Sequence, residues 1–255
     1  MSKPMKMLVP LAAAAVAVVM APTAAFADDA NGTYQTTLDP LNGSSGSGMA
    51  TISVEGDQAQ VDLSWSGLPE TFMDAPYPHV QHIHIGARGE CPTKDADANG
   101  DGIVDTVEGQ PAYGEIGTTL STKGDTSAKA GTNIKIAPGG SSVDYSRTIK
   151  LDQATQDSLA DGTGVIVVHG LDPATLTEEA AKAKSNLVPE LPLAATSPAL
   201  CGSLSSMPGG GVDTGSGSTA GVENLGLIAA GGGLLAAAAV VGVASRRRRT
   251  AEIGR

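Results

Sequence analysis

All four histidines of the chain lie in two short apolar stretches, and these stretches limit the possible folds more than any other feature. The first stretch, 79–86, reads HVQHIHIG, and the second, 165–170, reads VIVVHG. β-Branched and apolar residues dominate both stretches, which is typical of strands. Because successive side chains of a strand point to opposite faces, His82 and His84 share one face. If the two strands are neighbours, His169 joins this pair.

Three imidazoles that converge in this way would suit copper, zinc or nickel. A His-x-His pair on a strand also occurs on half-exposed polar faces that bind no metal, so the spacing alone leaves both interpretations open. His79 is a further candidate ligand for copper, although an alternating strand would direct its side chain away from His82 and His84.

The N-terminal segment 1–27 has the features of a secretory signal peptide. Lys3 and Lys6 precede an apolar run rich in Ala and Val, and an Ala-Phe-Ala site ends the segment. A basic start, a short apolar core and a site of this kind are the marks of an exported chain. The apolar run is too short for a typical membrane-spanning helix.

Near the other end, segment 225–244 predicts a transmembrane helix, because it contains no charged residue. At about 1.5 Å per residue it can cross a hydrocarbon core of about 30 Å. The tail 245–255 carries a cluster of arginines, which should stay in the cytoplasm and leave the rest of the chain outside. The Gly- and Ser-rich stretch 205–224 before the span predicts a flexible tether.

The order of Thr-Gly, apolar span and arginine tail resembles the cell-wall sorting signals of Gram-positive bacteria. The usual Leu-Pro-x-Thr-Gly is absent, since Val212-Asp213-Thr214-Gly215 stands in its place. Two locations therefore stay open for the extracellular part. The C-terminal helix retains it in the plasma membrane, or a sortase cuts after Thr214 and attaches it to the cell wall.

What remains is one domain, 28–204, of normal size for a single hydrophobic core. The whole chain has a formal net charge of -11, and this segment is more acidic still because Lys3, Lys6 and the tail arginines lie outside it. An acidic surface argues against nucleic acid and anionic membranes as partners, and it favours divalent metal ions.

Cys91 and Cys201 are the only cysteines, and in an exported chain we expect them to form a disulfide. A bridge that closes a loop of about 110 residues would stabilise the fold by about 4–5 kcal/mol in the chain-entropy description. Two separate thiols are the less favoured alternative outside the cell.

Apolar–polar alternation is clearest over 49–54 and 58–66, which the turn 55–57 joins into a predicted hairpin. The other predicted strands are 79–86, 115–120, 132–136, 143–151, 164–169 and 198–204. Residues 28–48 are polar and contain a predicted loop at 42–48. Two short helices are predicted at 152–160, with Asp152 as N-cap, and at 175–184. Many short strands and few helices predict an all-β antiparallel sandwich or barrel.

A second metal motif is the segment 97–108, DANGDGIVDTVE, which matches a calcium loop of EF-hand type. The predicted calcium ligands are the side chains of Asp97, Asn99, Asp101, Asp105 and Glu108 and the backbone carbonyl of Ile103. Proline and glycine on both flanks predict that no helices border the loop. The motif therefore predicts a structural calcium site in a surface loop, and the alternative is a solvated acidic turn.

Taken together, these residues resemble the copper–zinc superoxide dismutases and their relatives, the CHRD-domain proteins, over most of residues 30–204. In the dismutases a His-x-His strand, a loop cysteine, a late Val-x-x-His strand and a Cys-Gly near the end follow one another. The counterparts in this chain are His82-Ile83-His84, Cys91, His169 and Cys201-Gly202. The resemblance implies a Greek-key antiparallel β-barrel, a Cys91–Cys201 disulfide, and copper bound by His82, His84 and His169.

Three departures from the dismutase pattern matter. No histidine occurs between 88 and 168, so the bridging histidine and the zinc ligands have no counterpart. Pro198 stands where the dismutases place an arginine that attracts superoxide, and the calcium-like loop occupies the region of the zinc loop. These departures favour a non-catalytic surface domain that calcium and a disulfide stabilise. The alternative is a copper-only superoxide dismutase or a copper-binding protein at the cell surface.

Overall fold

The computed structural model describes residues 30–72 and 74–208, all of which belong to one compact unit. The predicted signal peptide 1–27, the transmembrane segment 225–244, the tail 245–255 and Thr214 lie outside the described residues. Within them, no helix has the length and apolar character needed to span a membrane.

The described domain is mostly β, as predicted, and its main element is a curled antiparallel sheet that forms a half-barrel. The strands are β1 (Gly32–Pro40), β2 (Ser47–Glu55), β3 (Gln58–Ser66), β4 (Thr71–Phe72), β5 (Ala75–Pro76), β6 (Gln81–Ile85), β7 (Glu115–Thr119), β8 (Ser142–Lys150), β9 (Val165–His169), β10 (Pro198–Ser203) and β11 (Ser205–Ser206). The main sheet has the order β7-β6-β9-β10-β1-β2-β3-β8, β11 pairs with β1, and β4 and β5 form a separate hairpin.

Four short α-helices lie between the strands in the described part of the chain. They are α1 (Thr106–Tyr113), α2 (Gln153–Ala160), α3 (Glu178–Lys182) and α4 (Leu193–Thr196). The Asp152 side chain accepts a hydrogen bond from the Thr155 N–H at 2.8 Å, which confirms its predicted role as N-cap of α2. The helix predicted at 175–184 is confirmed in a shorter form as α3, which Thr177 caps.

The hairpin of β2 and β3 confirms the alternation seen in the sequence, with Gly56 in its turn at a φ of 58°. The apolar side chains of β3 are all buried in the hydrophobic core, namely Ala59, Val61, Leu63 and Trp65. From this face the Trp65 indole N–H donates to Gln81 Oε1 at 3.0 Å. The bond connects β3 with β6, the strand that carries two of the histidines.

The two edge strands of the half-barrel, β7 and β8, are connected by an arginine. Arg147 of β8 donates from Nη1 to the Ser121 carbonyl at 2.7 Å and from Nη2 to the Gly124 carbonyl at 2.8 Å. Both carbonyls lie just after β7 in the chain. The Arg147 side chain therefore spans the gap between β7 and β8, which are not neighbours in the described sheet.

Two predictions about individual elements were wrong. The strand predicted at 132–136 is instead a turn of 3-10 helix over Ile134–Ile136, because the Asn133 side chain accepts the Lys135 N–H and closes a tight turn. In the polar stretch 28–48, β1 forms although no strand was predicted there. It is paired along its length with β2, and its few apolar side chains, such as Leu38, are buried.

The prediction that no helix borders the acidic loop was also wrong, because α1 begins inside it. The Asp105 carboxylate accepts from the N–H groups of Val107 and Glu108, and the Glu108 carboxylate accepts from the Asp105 N–H at 3.0 Å. This reciprocal capping box stabilises the first turn. The helix also contains Pro111, which removes a single backbone donor.

Candidate metal centre

Three histidines converge on the face of the sheet opposite the main hydrophobic core, since Ile83, which lies between His82 and His84 on β6, points into that core. β6 and β9 are antiparallel neighbours, with His82 opposite Val167. The side chains of His82, His84 and His169 are 2 %, 1 % and 3 % exposed. One nitrogen from each ring lies within 4.8 Å of the corresponding nitrogens of the other two. The three rings are therefore close enough to share one metal ion.

Each of these imidazoles makes one hydrogen bond to a backbone carbonyl. The pairs are His82 Nε2 with Gly131 O at 3.0 Å, His84 Nδ1 with Gly114 O at 3.0 Å, and His169 Nδ1 with Thr196 O at 2.6 Å. A carbonyl oxygen can only accept, so the ring nitrogen that faces it carries the proton. These bonds fix both the tautomer and the orientation of each ring.

The other nitrogen of each ring has no hydrogen-bond partner and is buried. These atoms are His82 Nδ1, His84 Nε2 and His169 Nε2. In a neutral imidazole such a nitrogen carries a lone pair, and three buried lone pairs without donors are unfavourable. A bound cation would satisfy all three at once. A metal-binding histidine commonly donates its other N–H to a backbone carbonyl, so the residues present fit a metal ion.

Burial also holds the three rings in the neutral form that binds metal. Desolvation, followed by repulsion from His169, lowers the pKa of His84 to about 3. Desolvation lowers the pKa of His169 to about 4 and the pKa of His82 well below its usual 6.5. At neutral pH no proton therefore competes with a metal for the lone pairs.

His79, the additional copper candidate, is not part of this cluster. Its Nδ1 lies 2.8 Å from the His169 carbonyl and its Nε2 lies 2.9 Å from the Pro69 carbonyl, so both ring nitrogens already face oxygen atoms. Its ring stacks on Tyr77 and meets the edge of Trp65. Burial lowers the pKa of His79, and the two carbonyls oppose that shift. The residue supports the backbone at the end of β9.

Helix α1 supports two of the three histidines, a role that the sequence analysis missed. The carbonyl that accepts from His84 belongs to Gly114, the C-cap of α1, and the Tyr113 ring packs against the His84 ring with a centroid distance of 4.6 Å. At the other end, Thr106 Oγ1 donates to the Thr196 carbonyl at 2.5 Å, the same oxygen that holds His169. The spacing Asp105-x-x-Glu108, a capping box, was the signal that could have revealed this helix.

A largely apolar pocket reaches the three histidines. The other residues that line it are Phe72, Tyr77, Pro78, Val80, Thr106, Ile116, Gly131, Thr132, Ile134, Leu187, Val188, Leu191, Ala195 and Thr196. Among the described residues, none that lines this pocket is Asp, Glu, Lys or Arg. The candidate metal centre therefore lies at the base of an uncharged pocket.

The acidic loop holds its side chains close together through bonds to its own backbone. Asp97 accepts from the N–H groups of Gly100 and Gly102, and Glu108 Oε1 accepts from those of Ala98 and Asn99. Asn99 and Asp101 each accept from the backbone two residues further on. The bonds show that the acidic loop is ordered by its own backbone. Calcium binding by this loop stays a prediction.

The predicted disulfide between Cys91 and Cys201 is present. Cys91 lies in the loop after β6, and Cys201 lies in β10 opposite Val167 of β9. The bridge therefore fastens the loop that follows the His-x-His strand to the strand next to the one that carries His169.

No family model matches the chain, and a comparison with curated proteins gave no match. The kinship with the dismutases and the CHRD-domain proteins therefore stays a proposal.

Proposed function

We propose that this chain is an exported, surface-anchored domain of the superoxide dismutase and CHRD type that holds one transition-metal ion through His82, His84 and His169. The observation that carries this proposal is the convergence of three buried imidazoles, each with one nitrogen that lacks a hydrogen-bond partner, with one ligand nitrogen from each ring within 4.8 Å of the others. Imidazole ligands suit copper and zinc. We favour copper, because the order of the histidines and cysteines along the chain resembles that of the dismutases.

The proposed role is structural or metal-holding rather than catalytic. The proline at 198, where the dismutases place an arginine, is buried in β10. Calcium in the loop 97–108 and the Cys91–Cys201 disulfide would stabilise the domain outside the cell. The segment 225–244 would retain it at the plasma membrane, or a sortase would transfer it to a Gram-positive cell wall.

A copper-only superoxide dismutase is the second candidate, and the pocket above the histidines favours it. Three protein ligands leave a coordination position for an outside molecule, as in catalytic metal sites. A copper ion in this place would supply one-electron redox chemistry. The chain's own contribution would be to hold the ion, fix the three tautomers and limit the access of water.

The test is a metal titration of the mature protein in detergent, with calorimetry and electron paramagnetic resonance. We expect one Cu(II) per chain with nitrogen hyperfine structure, and a loss of affinity of at least about 100-fold in His169→Gln. The matched control is His79→Gln, which changes a buried histidine outside the cluster and should still bind one equivalent. Absence of nitrogen-coordinated copper and of bound zinc would refute the proposal, whereas fast superoxide decay would favour the second candidate.

A further inference from the structure

The pocket above the histidines has an apolar mouth. Ile134 and Leu187 are 44 % and 48 % exposed, although both are large hydrophobic residues. Phe72, Val188 and Leu191, which are half-buried, complete the mouth. These residues come from three separate segments of the chain. Apolar side chains that meet around an opening in this way are typical of a ligand site.

The mouth is tied to the metal centre by hydrogen bonds. Ser185 is 3 % exposed, and its Oγ accepts from the N–H groups of Leu187 and Val188 at 3.1 and 3.0 Å. The same Oγ accepts from Thr196 Oγ1 at 2.7 Å, and the Thr196 carbonyl holds His169. The apolar rim therefore has a fixed position relative to the histidines.

Among the described residues, the lining of the pocket offers a ligand no charge and few free donors. Of its polar lining groups, the Tyr77 hydroxyl donates to the Leu171 carbonyl, and the Thr106 hydroxyl donates to the Thr196 carbonyl. A metal ion held by three neutral imidazoles would carry the charge of the site, so the lining itself would distinguish ligands by their apolar surface. A molecule with an apolar body would bury that body against the rim.

On the basis of the proposed metal site, we propose that its exchangeable position takes small molecules with an apolar body and one nitrogen or oxygen donor atom. The donor atom would meet the metal at the base of the pocket, and the apolar body would contact Ile134 and Leu187. The mouth would therefore favour these molecules over ligands with the same donor atom and no apolar body.

The test compares three probes on the Cu(II)-loaded mature protein at a pH where the two imidazoles are neutral. The probes are azide, imidazole and 4-phenylimidazole, and visible and electron paramagnetic resonance spectra report their binding. We expect 4-phenylimidazole to bind at least about tenfold more tightly than imidazole, because the phenyl ring is buried in the mouth. Azide has no apolar body and serves as the control ligand, whose affinity should not depend on the side chains of the mouth.

Two variants separate the mouth from the metal. Leu187→Asn removes the apolar contact without adding a charge, and it should lower the affinity for 4-phenylimidazole about tenfold and leave the affinity for Cu(II) unchanged. Met49→Asn places the same change on another exposed hydrophobic residue, 58 % exposed on β2 and outside this pocket, and should leave both affinities unchanged.

Each alternative outcome has a distinct meaning. Equal affinities for the two imidazoles, or equal behaviour of the two variants towards 4-phenylimidazole, would overturn this inference while the metal site stands. Failure of the protein to bind Cu(II) would overturn the proposed function and this inference together.

Discussion

Each imidazole of the candidate metal centre takes its orientation from a carbonyl in a different segment of the chain, and two of these carbonyls belong to glycines. A Cβ at Gly131 would lie 2.5 Å from Ile116 Cδ1, and a Cβ at Gly114 would lie 1.9 Å from the Ile85 carbonyl oxygen. Gly114 also has a φ of 93°, which side chains disfavour. At Gly114 only glycine lets the backbone approach Ile85 closely enough to hold His84, whereas at Gly131 the nearest atom is the end of the Ile116 side chain, which can shift.

The metal-free protein should lose stability as the pH falls below about 6.5. Unfolded histidines take up protons near that pH. In the folded state, burial lowers the pKa of His84 to about 3 and that of His169 to about 4, and it lowers the pKa of His82 well below its usual 6.5. The unfolded state then binds more protons than the folded state, so acid favours unfolding. Three such groups lower the free energy of unfolding by up to about 4 kcal/mol per pH unit.

Denaturant unfolding in EDTA between pH 7.5 and 5 measures this slope, with most carboxylates still ionised. His79, whose pKa burial also lowers, acts in the same direction. His169→Gln is the control, because the loss of one titrating group should reduce the slope. A free energy of unfolding that stays constant from pH 6.5 to 5 would contradict the neutral, buried cluster.

At the scale of elements, α1 is the connection between the acidic loop and the metal centre. Its N-terminal turn contains Glu108, the last residue of the predicted calcium loop, and its C-cap, Gly114, holds His84. Thr106 in the same first turn shares its acceptor carbonyl with His169. A change that loosens the first turn should therefore reach two metal ligands.

Asp105→Ala should reduce both the stability of the domain and its metal affinity. The change removes the N-cap of α1 and a bond from Asn186 to the carboxylate, and we expect a loss of about 1–2 kcal/mol. Because α1 orients His84 and His169, the affinity for Cu(II) should fall about tenfold. Scanning calorimetry of the metal-free protein measures the stability, and titration calorimetry with Cu(II) measures the affinity, both in chelator-free buffer without added calcium.

The matched control for this change is Asp152→Ala, which removes the N-cap of α2. The carbonyls that hold the three imidazoles belong to Gly131, Gly114 and Thr196, and none of these lies in α2. This variant should lose similar stability but retain the affinity for Cu(II). If both variants bind copper equally well, α1 has no positioning role.

Glu108→Gln should weaken the stabilisation that calcium gives to the domain. In an EF-hand type loop the last glutamate supplies two carboxylate oxygens, and an amide supplies only one oxygen of lower charge. We expect the rise in melting temperature at about 10⁻³ M calcium to be lost in this variant. Asp95→Asn, an exposed acid just before the loop, should keep the rise. A calcium response that is the same in both variants would assign the loop to an acidic turn.

The sequence predicted those features that depend on a two-residue repeat. Alternation placed β2 and β3, and the same rule put His82 and His84 on one face. It did not predict β1, because only isolated apolar residues mark that strand and its pairing partners supply the rest. The sequence also did not predict that the carbonyls of Gly114, Gly131 and Thr196 accept hydrogen bonds from the three imidazoles. These carbonyls are distant from the histidines in the sequence, and only the folded chain brings them to the rings.

For the whole molecule, the disulfide closes a loop with a sequence separation of 110 residues. This loop contains His169 and all three carbonyls that hold the imidazoles, at positions 114, 131 and 196. The bridge therefore restricts the unfolded chain in the part that builds the metal centre. This restriction does not depend on a metal ion being bound.

Replacement of both Cys91 and Cys201 by serine should lower the free energy of unfolding by about 4–5 kcal/mol, since the open chain gains entropy when it unfolds. Denaturant titration of the metal-free protein measures this loss. Because a metal that binds only the folded state stabilises it by mass action, an excess of Cu(II) should restore part of the lost stability. The combined variant with His169→Gln should show no such recovery. Recovery in the combined variant would mean that copper acts elsewhere on the chain.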